Sequence, residues 1–364
     1  GWSAVEDQPH GTDLVLYFAA PEALKAGCLS QLRKLYPDAH FLGCSTGGEI
    51  LGADVLDECA VMTALSLKST RLRRAERRLA KPEQSEEVGR LLAKDLAAPD
   101  LHAVFVLSDG LLVNGSALVR GMRSALPANV VITGGLAGDG PRFGSTCVGS
   151  DGEPEAGLVA AVGFCGDSIQ VGHGSVGGWE TFGPERLVTR ADGNVLYELD
   201  GQPALTLYKK YLGPEADALP GSALLFPLSI RRQGDTQFDL VRTIVGIDEK
   251  AQSMTFAGDV PQGAIAQLMR GSFDRLIEGA GQAATESMLE PSSGDTLAVL
   301  VSCIGRKLLM GQRIADEVEA VADALGTRCT QVGFYSYGEI SQHHASGVCD
   351  LQNQTMTVTT FSER

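Results

Sequence analysis

Apolar residues recur along this chain in a repeating order. An unbroken run, Leu14 to Ala19, has the length and character of a strand buried on both faces. Leu24, Cys28, Leu32 and Leu35 then fall at i, i+4, i+8 and i+11, one stripe of a helix that opens at Pro21 and stops before Pro37. Phe41-Leu42 begins a second strand, which leads into Gly43-Cys44-Ser45-Thr46-Gly47-Gly48-Glu49-Ile50. The same order returns near the other end. Leu297 to Val301 reads as a strand, and Ile314, Val318, Ala322 and Leu325 form the helical stripe. Gly333-Phe334-Tyr335-Ser336-Tyr337-Gly338-Glu339-Ile340 then follows. A third copy of the theme runs from His102–Leu107 through a helix at Asn114–Leu126 and a strand at Val130–Thr133 to Gly134-Gly135-Leu136-Ala137-Gly138-Asp139-Gly140. Internal repeats fix architecture before other signals do. They predict an α/β fold of two pseudo-repeated lobes with mixed sheets, built from strand–helix–strand–Gly-turn units.

The rest of the pattern fills in the lobes. Cys59–Leu67, Ala156–Phe164 and Ile169–Gly172 read as strands, and a helix resumes near Ser85. Leu199-Asp200-Gly201-Gln202-Pro203 marks a turn and a helix start, so the lobe boundary is placed there, giving lobes 12–200 and 201–364. Leu224–Ile230, Leu240–Ile247 and Met254–Phe256 alternate as antiparallel strands. A long helix is expected from Asp259-Val260-Pro261, with Ile265, Leu268, Met269, Leu276 and Ile277 on one side.

The motifs resemble the FIST family of bacterial sensory domains, with FIST-N and FIST-C parts. The resemblance rests on the two octapeptides, Gly134–Asp139, Leu196–Ala204, Tyr208–Gly213, Phe226-Pro227-Leu228 and Asn353-Gln354-Thr355-Met356-Thr357, in that family's order along almost the whole chain. It implies a sensor of small ligands rather than an enzyme. Stand-alone members of this build resemble a bacterial nitric-oxide-sensing haem protein that acts on a separate histidine kinase or cyclic-di-GMP enzyme. In such tails a His often precedes Asn-Gln-Thr-Met-Thr; here that position is Gln352.

Composition narrows the partners. The 364 residues are 44% hydrophobic and 21% charged, with a formal charge of −15, as in an acidic globular protein. That charge disfavours non-specific attraction to nucleic acid or an anionic membrane. The basic run Arg71–Arg78 reads as a solvated strand end and loop. No apolar stretch approaches 20 residues, and the N-terminus lacks a signal-peptide pattern. None of the eight cysteines forms a C-x-x-C pair, which with their apolar settings suggests a reducing, cytoplasmic compartment.

Gly-rich turns at strand ends let backbone N–H groups approach a ligand. A pocket is therefore expected between the lobes, where such turns converge. Its expected lining is Ser45, Thr46, Glu49, Tyr337 and Glu339, with Arg142 and Arg242 as charge partners. The competing reading ties each Glu to backbone N–H groups as a structural staple. Cys44 lacks the Gly-x-Ser-x-Gly setting of a nucleophile elbow, and no His–Asp partners are placed by sequence, so no catalytic set is assigned. An enzyme using Cys44 or Glu49 is the rival class. Haem b, implied by the resemblance, has His173 and the His343-His344 pair as candidate axial ligands. A non-haem sensor of a small metabolite such as an amino acid is the alternative.

Overall fold

The computed structural model describes residues 11–231, 240–289, 295–342 and 349–364. The first unit comprises β1 (Leu14–Ala19), α1 (Pro21–Lys25), α2 (Cys28–Leu35), β2 (His40–Ser45), β3 (Glu49–Leu51), β4 (Asp54–Leu56) and β5 (Ala60–Leu65). The helix expected over this stretch breaks at Gly27, which takes a left-handed φ of 82°. Next come β6 (Arg71–Arg78) and α3 (Ser85–Leu96). The second unit is β7 (Leu101–Ser108), α4 (Gly115–Arg123), β8 (Val131–Leu136), β9 (Val148–Gly149) and β10 (Leu158–Cys165). Asn114 caps α4 by accepting from the Ala117 N–H at 2.9 Å.

After β11 (Ile169–Val176) the chain leaves for a separate sheet. That sheet contains β12 (Trp179–Asp192), β13 (Val195–Leu199), β14 (Gln202–Pro203), β15 (Leu228–Arg231), β16 (Leu240–Arg242), β17 (Ile244–Asp248), β18 (Ser253–Phe256) and β19 (Ile265–Gly271), with α5 (Ala204–Leu212) packed on it. The chain returns through α6 (Phe273–Glu286) to the third unit. This consists of β20 (Thr296–Cys303), α7 (Ile304–Met310), α8 (Ile314–Leu325), β21 (Cys329–Ser336), β22 (Gly338–Gln342), β23 (Cys349–Gln352) and β24 (Met356–Glu363).

Three expectations are corrected by the structure. The long helix from Asp259 is instead β19 followed by α6. Ile265, Leu268 and Met269 lie in the strand, whose neighbours β12 and β15 take up its backbone hydrogen bonds. Sheet pairing outweighs the helical spacing of its apolar residues. Leu224 belongs to a short 3-10 turn over Gly221–Leu225, and the strand begins only at Leu228, after Pro227. The arginine run is a full edge strand, β6, paired with β10 on one side.

The three units repeat one topology. In each, the first strand pairs in parallel with the second: β1 with β2, β7 with β8, β20 with β21. A last strand returns antiparallel to the first: β5, β10 and β24. The strand after each Gly turn crosses to another unit. β3 pairs with β21, β22 with β8, and β9 with β2, all antiparallel. The exchange is cyclic, and the sheets enclose a shared apolar interior. Leu16 and Phe18 from β1, Phe105 and Leu107 from β7, and Val301 and Phe334 from the third unit meet there. Phe18 stacks on Phe334 at 4.7 Å. Alternation turns Val15 and Tyr17 outward onto Leu29 and Leu32 of α2. Both faces of β1 are thus buried, as its unbroken apolar run requires. Helices α3, α4, α6 and α8 cover outer faces through a second core.

Candidate functional site

The three Gly turns meet at the C-terminal ends of the parallel strands. The Gly47 N–H donates to the Tyr335 carbonyl at 2.8 Å, the Tyr337 N–H to Leu136 at 3.2 Å, and the Gly138 N–H to Ser45 at 2.9 Å. This ring of backbone bonds joins unit one to three, three to two and two to one. At this pole a cleft of about 390 Å³ opens. Thr46–Glu49, Asp57 and Glu58 line it from the first unit, Asp139–Arg142 from the second, and Ile304, Lys307 and Leu308 of α7 from the third.

Thr46, Glu49 and Arg142, three of the residues expected to line a pocket, border this cleft. Glu49 forms part of the floor and is itself buried. Thr46 donates its hydroxyl to Glu49, and the Cys59 thiol donates to the other carboxylate oxygen at 3.3 Å. Burial raises the Glu49 pKa, partly offset by these bonds. Ser45 lies beneath the cleft, its hydroxyl accepting from the Cys147 N–H at 3.0 Å.

Glu339 repeats the Glu49 arrangement away from the cleft. It accepts from the Ser336 hydroxyl at 2.6 Å, and from the Thr355 hydroxyl at 2.9 Å and N–H at 3.1 Å. In both turns a hydroxyl three residues earlier holds one carboxylate oxygen. The other oxygen ties the turn to the residue just before the returning strand, Cys59 or Thr355. The staple reading therefore accounts for both. Burial pushes the Glu339 carboxyl up to about 8, against the opposing pull of its hydrogen bonds. Tyr337 is buried too, its hydroxyl bonded to Asp139 and its ring stacked on Phe143 at 4.4 Å.

Arg242 is elsewhere. It is buried on β16, bonded to the Leu351 carbonyl at 3.0 Å and the Asp259 carbonyl at 2.9 Å, where it ties the inserted sheet to the core. Sequence gave no register that could place it, since its strand belongs to the insertion. His173 lies on β11 opposite Thr359. A Cβ on either flanking glycine, Gly172 or Gly174, would stand 2.1 Å from the carbonyl of Ser287 or Ala283, so the segment around α6 closes over that face. Strand alternation turns His173 to the other face. His343 and His344 fall outside the described residues. Among the described residues, no group of three or more His, Cys, Asp or Glu is placed to hold a metal ion.

The sequence reading passed over Lys307, Asp57 and Asp139. Lys307 donates to the Gly47 carbonyl at 3.0 Å and to Asp57. Its ammonium lies 5.3 Å from the centre of the Tyr335 ring. Asp139 accepts from the N–H groups of Gly144 and Ser145 at 3.0 and 2.9 Å. The signal for Lys307 was available in the repeat, because the first strand of each unit ends at the same pole as the second. The residues just after Cys303 therefore belong beside the Gly turns.

Comparison with known proteins bears on the whole chain. The chain is 27% identical over 262 residues to an uncharacterised protein of Mycobacterium tuberculosis, found in strains CDC 1551 and H37Rv. The match covers 68% of this chain and 64% of the relative, so it spans a little under two thirds of the relative's length. A crystal structure of a cyanuric acid hydrolase from A. caulinodans is similar at a TM-score of 0.33 and 10% identity, over 97% of this chain and 90% of that one. The FIST N domain matches residues 13–202 and the FIST C domain residues 204–342. With both parts matched in order across most of its length, the chain belongs to the FIST family of sensory domains.

Proposed function

We propose that this chain is a cytoplasmic sensory protein that binds a small polar metabolite, of about amino-acid size, in the cleft where the three units meet. Occupancy then regulates a separate signalling partner, a histidine kinase or a cyclic-di-GMP enzyme. One observation carries the reading: a cleft of about 390 Å³ lined by charged groups of both signs from all three units. A ligand there touches every unit and is well placed to bias how they pack. No helix of the described residues is long and apolar enough to cross a membrane.

The enzyme reading finds little support. Cys44 is fully buried, and burial raises its thiol pKa well above the ordinary range, which leaves too little thiolate for attack. Glu49 is held by Thr46 and Cys59 rather than free to move a proton. For haem b, the cleft offers no imidazole, since none of its lining side chains is a histidine. The lining of the cleft therefore does not fit haem, and the proposed signal is a metabolite rather than nitric oxide.

Thermal-shift screening of wild-type protein against amino acids and related metabolites tests this reading. At least one is expected to raise Tm saturably, and Arg142→Ala to weaken that response. Uniform silence across the screen, or a stoichiometric Soret band with haemin that shifts in His173→Ala, would overturn it.

A further inference from the structure

Seven charged side chains line the cleft. Five are acidic (Glu22, Glu49, Asp57, Glu58 and Asp139) and two are basic (Arg142 and Lys307). The closest answer to the acidic surplus is the Lys307 ammonium. There the Gly47 carbonyl accepts at 3.0 Å, Asp57 supplies a carboxylate, and the Tyr335 ring lies 5.3 Å away. A carbonyl, a carboxylate and an aromatic face are the groups that recognise a primary ammonium. The backbone is left bare to admit it: a Cβ on Gly48, whose φ is 142°, would stand 2.1 Å from Lys307 Nζ.

Lys307 is not needed to hold its own helix in place. The preceding residue, Arg306, is fully buried in an ion pair with Glu317 at 2.8 Å and donates to the Leu276 carbonyl at 2.8 Å and to Gly177. Those bonds fix α7 to α8, to α6 and to the start of the inserted sheet. The lysine side chain is a flexible stem free to leave while the helix stays. Arg142, across the cleft, is half-exposed and only loosely paired, 3.4 Å from Glu22 and 3.9 Å from Asp139.

We propose that the Lys307 ammonium fills the subsite for a primary ammonium group of the ligand, and that binding displaces it. The ligand is thus an amine-bearing metabolite, and the chain carries its own competitor. This rests on the cleft being the ligand site. The competitor sets a threshold: with Lys307 seated most of the time, the apparent affinity falls by the fraction of molecules in which it is not. Displacement also frees the lysine beside Arg306, the residue that joins α7 to the inserted sheet.

Ethylammonium chloride is the probe, titrated into the whole 364-residue chain carrying Lys307→Ala by calorimetry and thermal shift. Saturable binding and a raised Tm are expected in the variant, both lost in Lys307→Ala/Asp57→Asn. Wild type should bind ethylammonium at least about tenfold more weakly. Sodium chloride at equal ionic strength should leave the variant unmoved. Lys307→Ser serves if the alanine variant does not fold, and folding that requires ethylammonium meets the same criterion. A variant that responds to ethylammonium no more than to sodium, or no more than wild type does, overturns the proposal. Since this readout needs no natural ligand, it fails separately from the metabolite screen.

Discussion

At the scale of single residues, the two Gly-Glu-Ile turns show how one side chain can serve two ends. Glu49 and Glu339 each staple a turn to its returning strand, yet only Glu49 reaches the cleft. Glu339 has a measurable consequence. Its folded pKa of about 8 lies above the ordinary value of 4.5, so between those limits the folded state binds the extra proton. Stability then falls as pH rises from about 4.5 to about 8, and this contribution is flat on either side. Glu339→Gln should remove the slope at little cost. The amide oxygen can accept from Thr355 while its NH₂ donates to the Ser336 hydroxyl, which can turn to accept. The check is Tm against pH from 5 to 8.5 for both proteins. Parallel curves would show that Glu339 is ionised throughout.

At the scale of elements, each unit's second strand carries a glycine at the same place, four residues before the N–H that closes the ring of turns (Gly47, Gly138 and Tyr337). A Cβ on Gly43 would meet the Tyr17 carbonyl at 2.2 Å, one on Gly134 the Val106 carbonyl at 1.8 Å, and one on Gly333 the Leu300 carbonyl at 2.0 Å. Each pair is a register partner in the parallel ladder, so the close approach is part of the repeated design. The collision is with backbone, which cannot swing aside. Gly333→Ala should therefore cost roughly 2–4 kcal/mol, read as a lowered urea midpoint. A loss under about 0.5 kcal/mol would mean the ladder relaxes freely. These glycines, the parallel strands and the helices between them were legible in the sequence because they recur with one spacing. The β19 stretch was not. Its apolar residues at 265, 268 and 269 suit a helix face, and only pairing with β12 and β15, distant in sequence, makes them a strand. The cleft was half legible: Thr46, Glu49 and Arg142 stand in or beside Gly turns. Lys307 is legible only through the repeat, as a residue just after the first strand of its unit, and Asp57 is brought in by packing between units, for which the sequence carries no local sign.

At the scale of the molecule, two divisions of the chain compete. Sequence places a boundary near residue 200, and the two family regions meet between 202 and 204. Hydrogen bonding divides it otherwise. β3 of the first unit is zipped to β21 of the third, and β22 to β8 of the second, so a cut at residue 200 severs the core's sheets. It also severs the inserted sheet, because β13 and β18 pair across it. The insertion, in contrast, has a core of its own running from Val188 to Leu268, with Leu196, Tyr208, Ile230 and Phe256 inside it. It leaves and re-enters side by side, since Trp179 pairs with Gly271. A fragment of residues 179–271 is therefore expected to fold alone, with a cooperative thermal transition and dispersed amide resonances. Fragments 12–200 and 201–364 should each lack such a transition when produced separately. Two cooperatively folded halves, or an unfolded 179–271 fragment, would show that the inserted sheet depends on the three-unit core more than its packing implies.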